Sequence, residues 1–319
     1  MKKWGVVVLS ICLVFGSVSL SFGAPEAEEI PTWKTVLSDA IKFGGVSDSM
    51  MMQEALQFAM TNDVSLSEFL SEVNTINPEA VQVALTSGFK VVDDKSAVIA
   101  AASTVNADVG SVVTSAIAAD VPAADIVSET VKADPSLAGK AVAAAIAANA
   151  SATEVVTAAV TADPSTTGDV VAAAVGANAM AGDVVAAAVK ADSTTAGTAV
   201  TAALDAGAQA DEVVSSAVVS DQSVSSEVVA AAINAGENVL EVVGSAMEAG
   251  ATSDQITVGA TEAGMTADAA QVAMDTATEA QTFTTKSDDD GSEIDIDDTP
   301  VTQPPVTIDN PPSEDVSPN

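Results

Sequence analysis

Carboxylates are the one functional group this chain carries in quantity, and they crowd most densely in "DDDGSEIDIDD", Asp288 to Asp298. Clustered carboxylate oxygens suit hard divalent cations such as calcium. An EF-hand fit with Gly291 in the sixth loop position places Asp288 third and Asp290 fifth. Lys286 then falls first, where an acidic ligand belongs, and Asp297 falls twelfth in place of a bidentate Glu. The loop pattern fails, so the segment reads first as a solvated acidic tail, with weak divalent-cation binding as the lesser expectation.

A second spacing, Ser87-Gly88-Phe89-Lys90, matches the Ser-x-x-Lys of a serine–lysine nucleophile pair. It has no Lys-Thr-Gly companion, and Gly88 reads instead as the residue that ends a helix. Histidine, arginine and tyrosine are absent, and the one cysteine, Cys12, lies in an apolar N-terminal stretch. Most acid–base and nucleophilic schemes therefore lose their usual side chains. Paired carboxylates of the glycosidase kind would remain, but no aromatic residue that could line a sugar cleft stands between Lys90 and Gln281. No Gly-rich phosphate loop is present either. The expectation is a protein that is not an enzyme, with no catalytic, cofactor-binding or metal-ligating residue to assign and no cofactor.

The elements that would carry any binding group follow from composition and period. Lys2 and Lys3 precede the apolar run "WGVVVLSICLVFGSVSLSF", and Ser21 and Gly23 offer small residues for cleavage, so residues 1–23 read as a signal peptide. Export to the periplasm or the extracellular space follows. Removing that segment takes away two lysines and no acid, moving the net charge from −35 to −37. Such a polyanion repels nucleic acid and anionic membrane surfaces and attracts basic proteins or divalent ions. No later run is long enough for a spanning helix.

Paired apolar residues recur at Val98-Ile99, Val112-Val113, Ile126-Val127, Ala141-Val142, Val155-Val156, Val170-Val171 and onward to Val242-Val243, in modules of 14 and 15 residues that compose a period of 29. Asp134, Asp163, Asp192 and Asp221 keep that period, as do Asn149, Asn178, Gly207 and Gly236. Within "SATEVVTAAVTA" the apolar positions follow helical rather than alternating spacing. Alanine runs favour helix over strand, against the β-solenoid that abundant valine would otherwise suggest. Asn149, Asn178, Gly207, Gly236, Gly250 and Gly264 read as helix-ending residues able to take positive φ. Ser65 with Glu68, Ser151 with Glu154, and Asn238 with Glu241 read as capping boxes. Asn149-Ala150-Ser151 also spells a glycosylation acceptor, but the capping roles suffice for it. Threonines do not recur in one register, which argues against an ice-binding face.

Helices of about ten residues are unstable alone and need neighbours. The expected fold is all-α: a right-handed-type α-solenoid of short helix pairs over residues 91–281, an irregular helical N-terminal cap over 24–90, and a disordered, acidic, Pro-rich tail over 282–319. The cap holds Trp33, Phe43, Phe58, Phe69 and the Met50-Met51-Met52 cluster, bulk suited to closing an open core. The expected function is a secreted, non-enzymatic structural or interaction scaffold with a protein or matrix partner, or with itself. The alternative is a polyanionic module capturing divalent cations or basic proteins through the tail.

Overall fold

The computed structural model describes residues 32–44 and 49–286, and every regular element among them is helical. The signal peptide expected over 1–23 and the carboxylate run Asp288–Asp298 lie outside the described residues. The first six α-helices are α1 Trp33–Gly44, α2 Ser49–Thr61, α3 Leu66–Ile76, α4 Val81–Val91, α5 Lys95–Thr104 and α6 Val109–Ala118. Next come α7 Ala123–Ala133, α8 Ala138–Ala147, α9 Ala152–Ala162, α10 Thr167–Gly176, α11 Ala181–Ala191 and α12 Ala196–Asp205. The last are α13 Ala210–Ser220, α14 Ser225–Asn234, α15 Val239–Glu248, α16 Ser253–Glu262 and α17 Ala267–Lys286.

Helix α9 shows how the sequence makes one module. Val155, Val156, Ala159 and Val160 are buried on one stripe, while Thr153, Glu154, Thr157 and Thr161 point to solvent. The Ser151 hydroxyl oxygen accepts the Glu154 N–H at 3.4 Å and covers one of the orphan donors of the first turn. Asp163 ends the helix in an extended conformation, φ −154° and ψ 103°. Its Oδ1 accepts the Ser165 N–H at 3.0 Å and the Ser165 O–H at 2.7 Å, and a 3-10 turn over Pro164–Thr166 leads straight into α10. Asp134, Asp192 and Asp221 build the same turn with Ser136, Thr194 and Ser223.

Helix α10 then stops at Ala177, and Asn178 turns the chain at φ 64°. An eleven-residue helix, an Asp with its 3-10 turn, a ten-residue helix and a four-residue left-handed turn thus make up the period. Every residue read as a positive-φ stop takes it: Asn149, Asn178, Gly207, Gly236, Gly250 and Gly264. Asn106 and Asp120 do the same without having been singled out.

From α2 onward each helix packs most extensively on the helix two places along, and less on its hairpin partner. Odd helices from α3 to α17 form one layer and even helices from α2 to α16 the other. The expected solenoid of helix pairs is therefore the fold. Between the layers lies a continuous core of Val and Ala, with Val155, Val156, Val170, Val171, Val184 and Val185 each fully buried. Burying one such side chain is worth about 1.5–3 kcal/mol, which is how helices too short to stand alone become stable.

Two ends close the stack differently. At the N-terminal end Leu37, Leu56, Phe69, Leu85 and Phe89 fill the core, and the Trp33 and Phe69 rings lie 6.4 Å apart. Here α3 and α4 already stack in the two layers. Asn77, at φ −154° and ψ 102°, joins them through the same turn that the aspartates make further on. At the C-terminal end α16 and α17 turn Asp254, Glu262, Gln271 and Asp275 outward, and α17 runs on past Gln281 to Lys286. Gly88 does not end a helix. It sits buried inside α4, where a Cβ would stand 3.4 Å from Val98 Cγ1, so its role is close packing of α4 on α5.

Candidate interaction surfaces

Layered stacking leaves two broad faces, and the sequence treats them differently. On the odd layer the third helical position is acidic in five successive helices: Asp125, Glu154, Asp183, Glu212 and Glu241, all exposed. Carboxylates there favour the helix N-terminus electrostatically, so a structural role accounts for the row. On the even layer the middle register reads Thr114, Ala143, Ala172 and Thr201, partly or fully exposed, and then the buried Ala230, one residue per helix at the repeat period and nothing larger than threonine.

Glycine recurs at the second helical position of the even layer, and at Gly139 it permits a close helix approach. Gly110, Gly139, Gly168 and Gly197 recur every 29 residues. A Cβ on Gly139 would come within 3.0 Å of the Asp169 carbonyl oxygen, so its absence permits α8 and α10 to approach. At one repeat junction the approach is used for a bond. Glu227 Oε1 on α14 accepts the Gly197 N–H of α12 at 2.9 Å, and in the other layer Glu212 Oε1 on α13 accepts the Gly182 N–H of α11 at 2.8 Å. Each carboxylate caps the helix of the preceding repeat, an arrangement that spacing within one helix does not reveal.

An open groove of about 550 Å³ follows the same junction between α12 and α14. Its floor is Gly197, Ala202, Ala230 and Ala231, and its polar rim is Thr198, Thr201, Asp205, Glu227 and Asn234. A smaller space of about 390 Å³ lies where Lys90 and Lys95 meet Asp120 and Asp125. Lys95 Nζ there donates to the Phe89 and Val92 carbonyls at 2.6 and 2.8 Å, a C-terminal cap for α4.

The residues singled out for chemistry take structural roles. Ser87 is fully buried and its hydroxyl donates to the Val83 carbonyl at 2.8 Å and the Ser49 carbonyl at 3.3 Å, while Lys90 is exposed in the last turn of α4. Asn149 is the exposed left-handed residue and Ser151 the N-cap already described. Of the Met and Phe residues in the N-terminal segment, Met52 and Phe69 are core, whereas Phe43 and Met50 are 64% and 69% exposed. The capping boxes differ from their reading. Ser65 and Ser151 accept from the third residue, Asn238 accepts instead from Leu240 N–H, and the reciprocal box is made by Thr252 with Gln255.

Among the described residues no group of three or more acids, His or Cys could hold a metal ion, and no helix is long and apolar enough to cross a membrane. Every buried side-chain polar atom among them has a hydrogen-bond partner. Among the described residues, the Ser223 hydroxyl, then the Ser223 amide, hold the Asp221 carboxyl below the usual range. No protein-family model, no curated protein and no solved structure matches the chain.

Proposed function

We propose that the protein is an exported, non-enzymatic scaffold whose solenoid presents an extended surface to protein or matrix partners in the periplasm, at the cell surface or outside the cell. What carries this reading is the regular two-layer stack itself. Its interior is filled with Val and Ala, every buried side-chain polar atom among the described residues is hydrogen-bonded within the protein, and its variable residues lie on broad outer faces. Solenoids characteristically use such surfaces for binding. The acidic segment beyond Lys286 favours a second reading, in which that segment captures divalent cations or basic proteins and the solenoid only carries it.

Cross-linking in intact producing cells tests both. The full chain and a chain ending at Lys286 are compared, and the N-terminus of the exported protein is sequenced. The scaffold reading expects an N-terminus at Ala24 and the same cross-linked partners from both chains. Loss of every partner from the shorter chain transfers the function to the acidic segment. Retention in the cytoplasm with residues 1–23 intact overturns export.

A further inference from the structure

We infer that the groove between α12 and α14 is a docking site for an extended, dibasic segment of a partner protein, with two Lys or Arg side chains spaced as in Lys-x-x-x-Lys. The inference rests on the scaffold reading and names the partner's chemistry. Outward positions of a repeat are free of packing constraint, so departures there from the repeat's usual small residues need another reason. The middle position of α12 is Thr201, as it is Thr114 in α6, but the C-terminal outer position, Ala118, Ala147 and Gly176 in α6, α8 and α10, becomes Asp205 in α12.

Both ends of the groove are anionic, and neither anion is there for the sake of α12's C-terminus. Asp205 is the last residue of α12, where a carboxylate opposes the helix dipole and an ammonium group would complement it. Glu227 stands at the other end, its carboxylate fixed by the Gly197 N–H so that it needs no reordering to receive a ligand. Charge around the site has one sign: between Lys190 and Lys286 the chain carries no cation, which makes an anionic occupant unfavourable.

Length selects the spacing. Gly197 and Asp205 are eight residues apart on one helix, or about 12 Å at the α-helical rise. An extended segment advances about 13 Å over four residues and returns to the same face. Two cations placed so would reach Glu227 and Asp205 together, with a small side chain between them over the floor of Ala202 and Ala230.

The test uses two labelled peptides of equal charge and composition, Ser-Lys-Ser-Ala-Ser-Lys-Ser with spaced lysines and Ser-Ser-Lys-Lys-Ala-Ser-Ser with adjacent ones. Binding to the full-length exported chain is followed by fluorescence anisotropy at about 0.15 M ionic strength, where long-range attraction is largely screened. The spaced peptide is expected to bind about tenfold more tightly, the equivalent of one well-formed contact. Asp205→Asn should abolish that preference, whereas Asp183→Asn on the odd face should preserve it. Equal binding of the two peptides, or a preference that survives Asp205→Asn, overturns the site and leaves only general polyanion attraction. Such a failure is separable from failure of the scaffold reading, because cross-linked partners in intact cells would persist.

Discussion

The odd and even layers are built from the same Val and Ala core, yet they reach the surface by different means. Odd helices α7, α9, α11 and α13 have eleven residues, start from left-handed or capped turns and carry an acid at the third position. Even helices α8, α10, α12 and α14 have ten, are launched by a 3-10 turn hung on an aspartate or its neighbours, and in three cases carry glycine at the second position. Exposed acids line the first turns of the odd helices, with Val219 and Leu240 exposed in the same layer, whereas the even helices add exposed acids at the same position only at Asp169 and Glu227 and approach one another more closely at Gly139 and Gly259. Equivalent interiors thus support two outer faces that differ mainly in how closely their helices approach, and each face carries an open depression.

Close spacing in the even layer predicts the largest effect. A Cβ on Gly259 of α16 would collide with the Ser226 carbonyl oxygen of α14 and come within 2.9 Å of Val229 Cβ. Gly259→Val should cost about 3 kcal/mol, at the top of the usual range for overpacking, read from urea denaturation followed by circular dichroism. Gly168 has only Thr198 Cγ2 near, at 3.6 Å, so Gly168→Ala should instead stabilise by about 0.5–1 kcal/mol through helix propensity. Equal effects at the two glycines would remove the claim that approach distance governs this layer.

A shared interior predicts no such contrast. Val156 in the odd layer and Val171 in the even layer are both fully buried, and either Val→Ala change should cost about 2 kcal/mol. A difference of more than about 1 kcal/mol between them would mean that the layers are not equivalent inside. The turns come next. Asp163→Ala removes the acceptor of two bonds and should cost about 1 kcal/mol. Asn149→Gly, which eases a residue held at φ 64°, should cost nothing and gain at most roughly 0.5 kcal/mol.

Much of this architecture is legible in the residues because each repeat spells its punctuation. Asn or Gly at Asn149, Asn178, Gly207 and Gly236 predicts positive φ with a mechanism, and paired valines predict the buried stripe. The Asp of Asp163-Pro164-Ser165 is legible only in part. Proline marks where the helix stops, but that Asp163 and Ser165 then wind the entry of the next helix depends on two hydrogen bonds converging on one carboxylate oxygen. What sequence periodicity cannot supply is which helices are neighbours. Gly197 and Glu227 lie 30 residues apart, and nothing in either helix alone says that one caps the other. The same limit hid the groove, which needs α12 and α14 side by side, and the packing role of Gly88, which looks like a stop because glycine commonly is one.

The smallest effect concerns charge in the turns of the even layer. Asp221 accepts the Ser223 hydroxyl at 2.7 Å and the Ser223 N–H at 2.9 Å, bonds that favour the ionised carboxyl and lower its pKa, against a slight opposing desolvation. A carboxyl depressed in the native state contributes stability that is present above its unfolded pKa, about 3.9, and is lost as pH falls through the native value. Asp221→Asn keeps an oxygen for the amide and hydroxyl but removes the charge. The stability of the parent chain minus that of the variant should therefore be constant above about pH 5 and shrink steadily below about pH 4. A difference is the right quantity, because neutralising the many other carboxylates relieves repulsion and moves both chains the opposite way. A difference that grows on acidification would show that the Ser223 bonds favour the neutral acid, and the aspartate turn would then owe its hold on the even helices to shape alone.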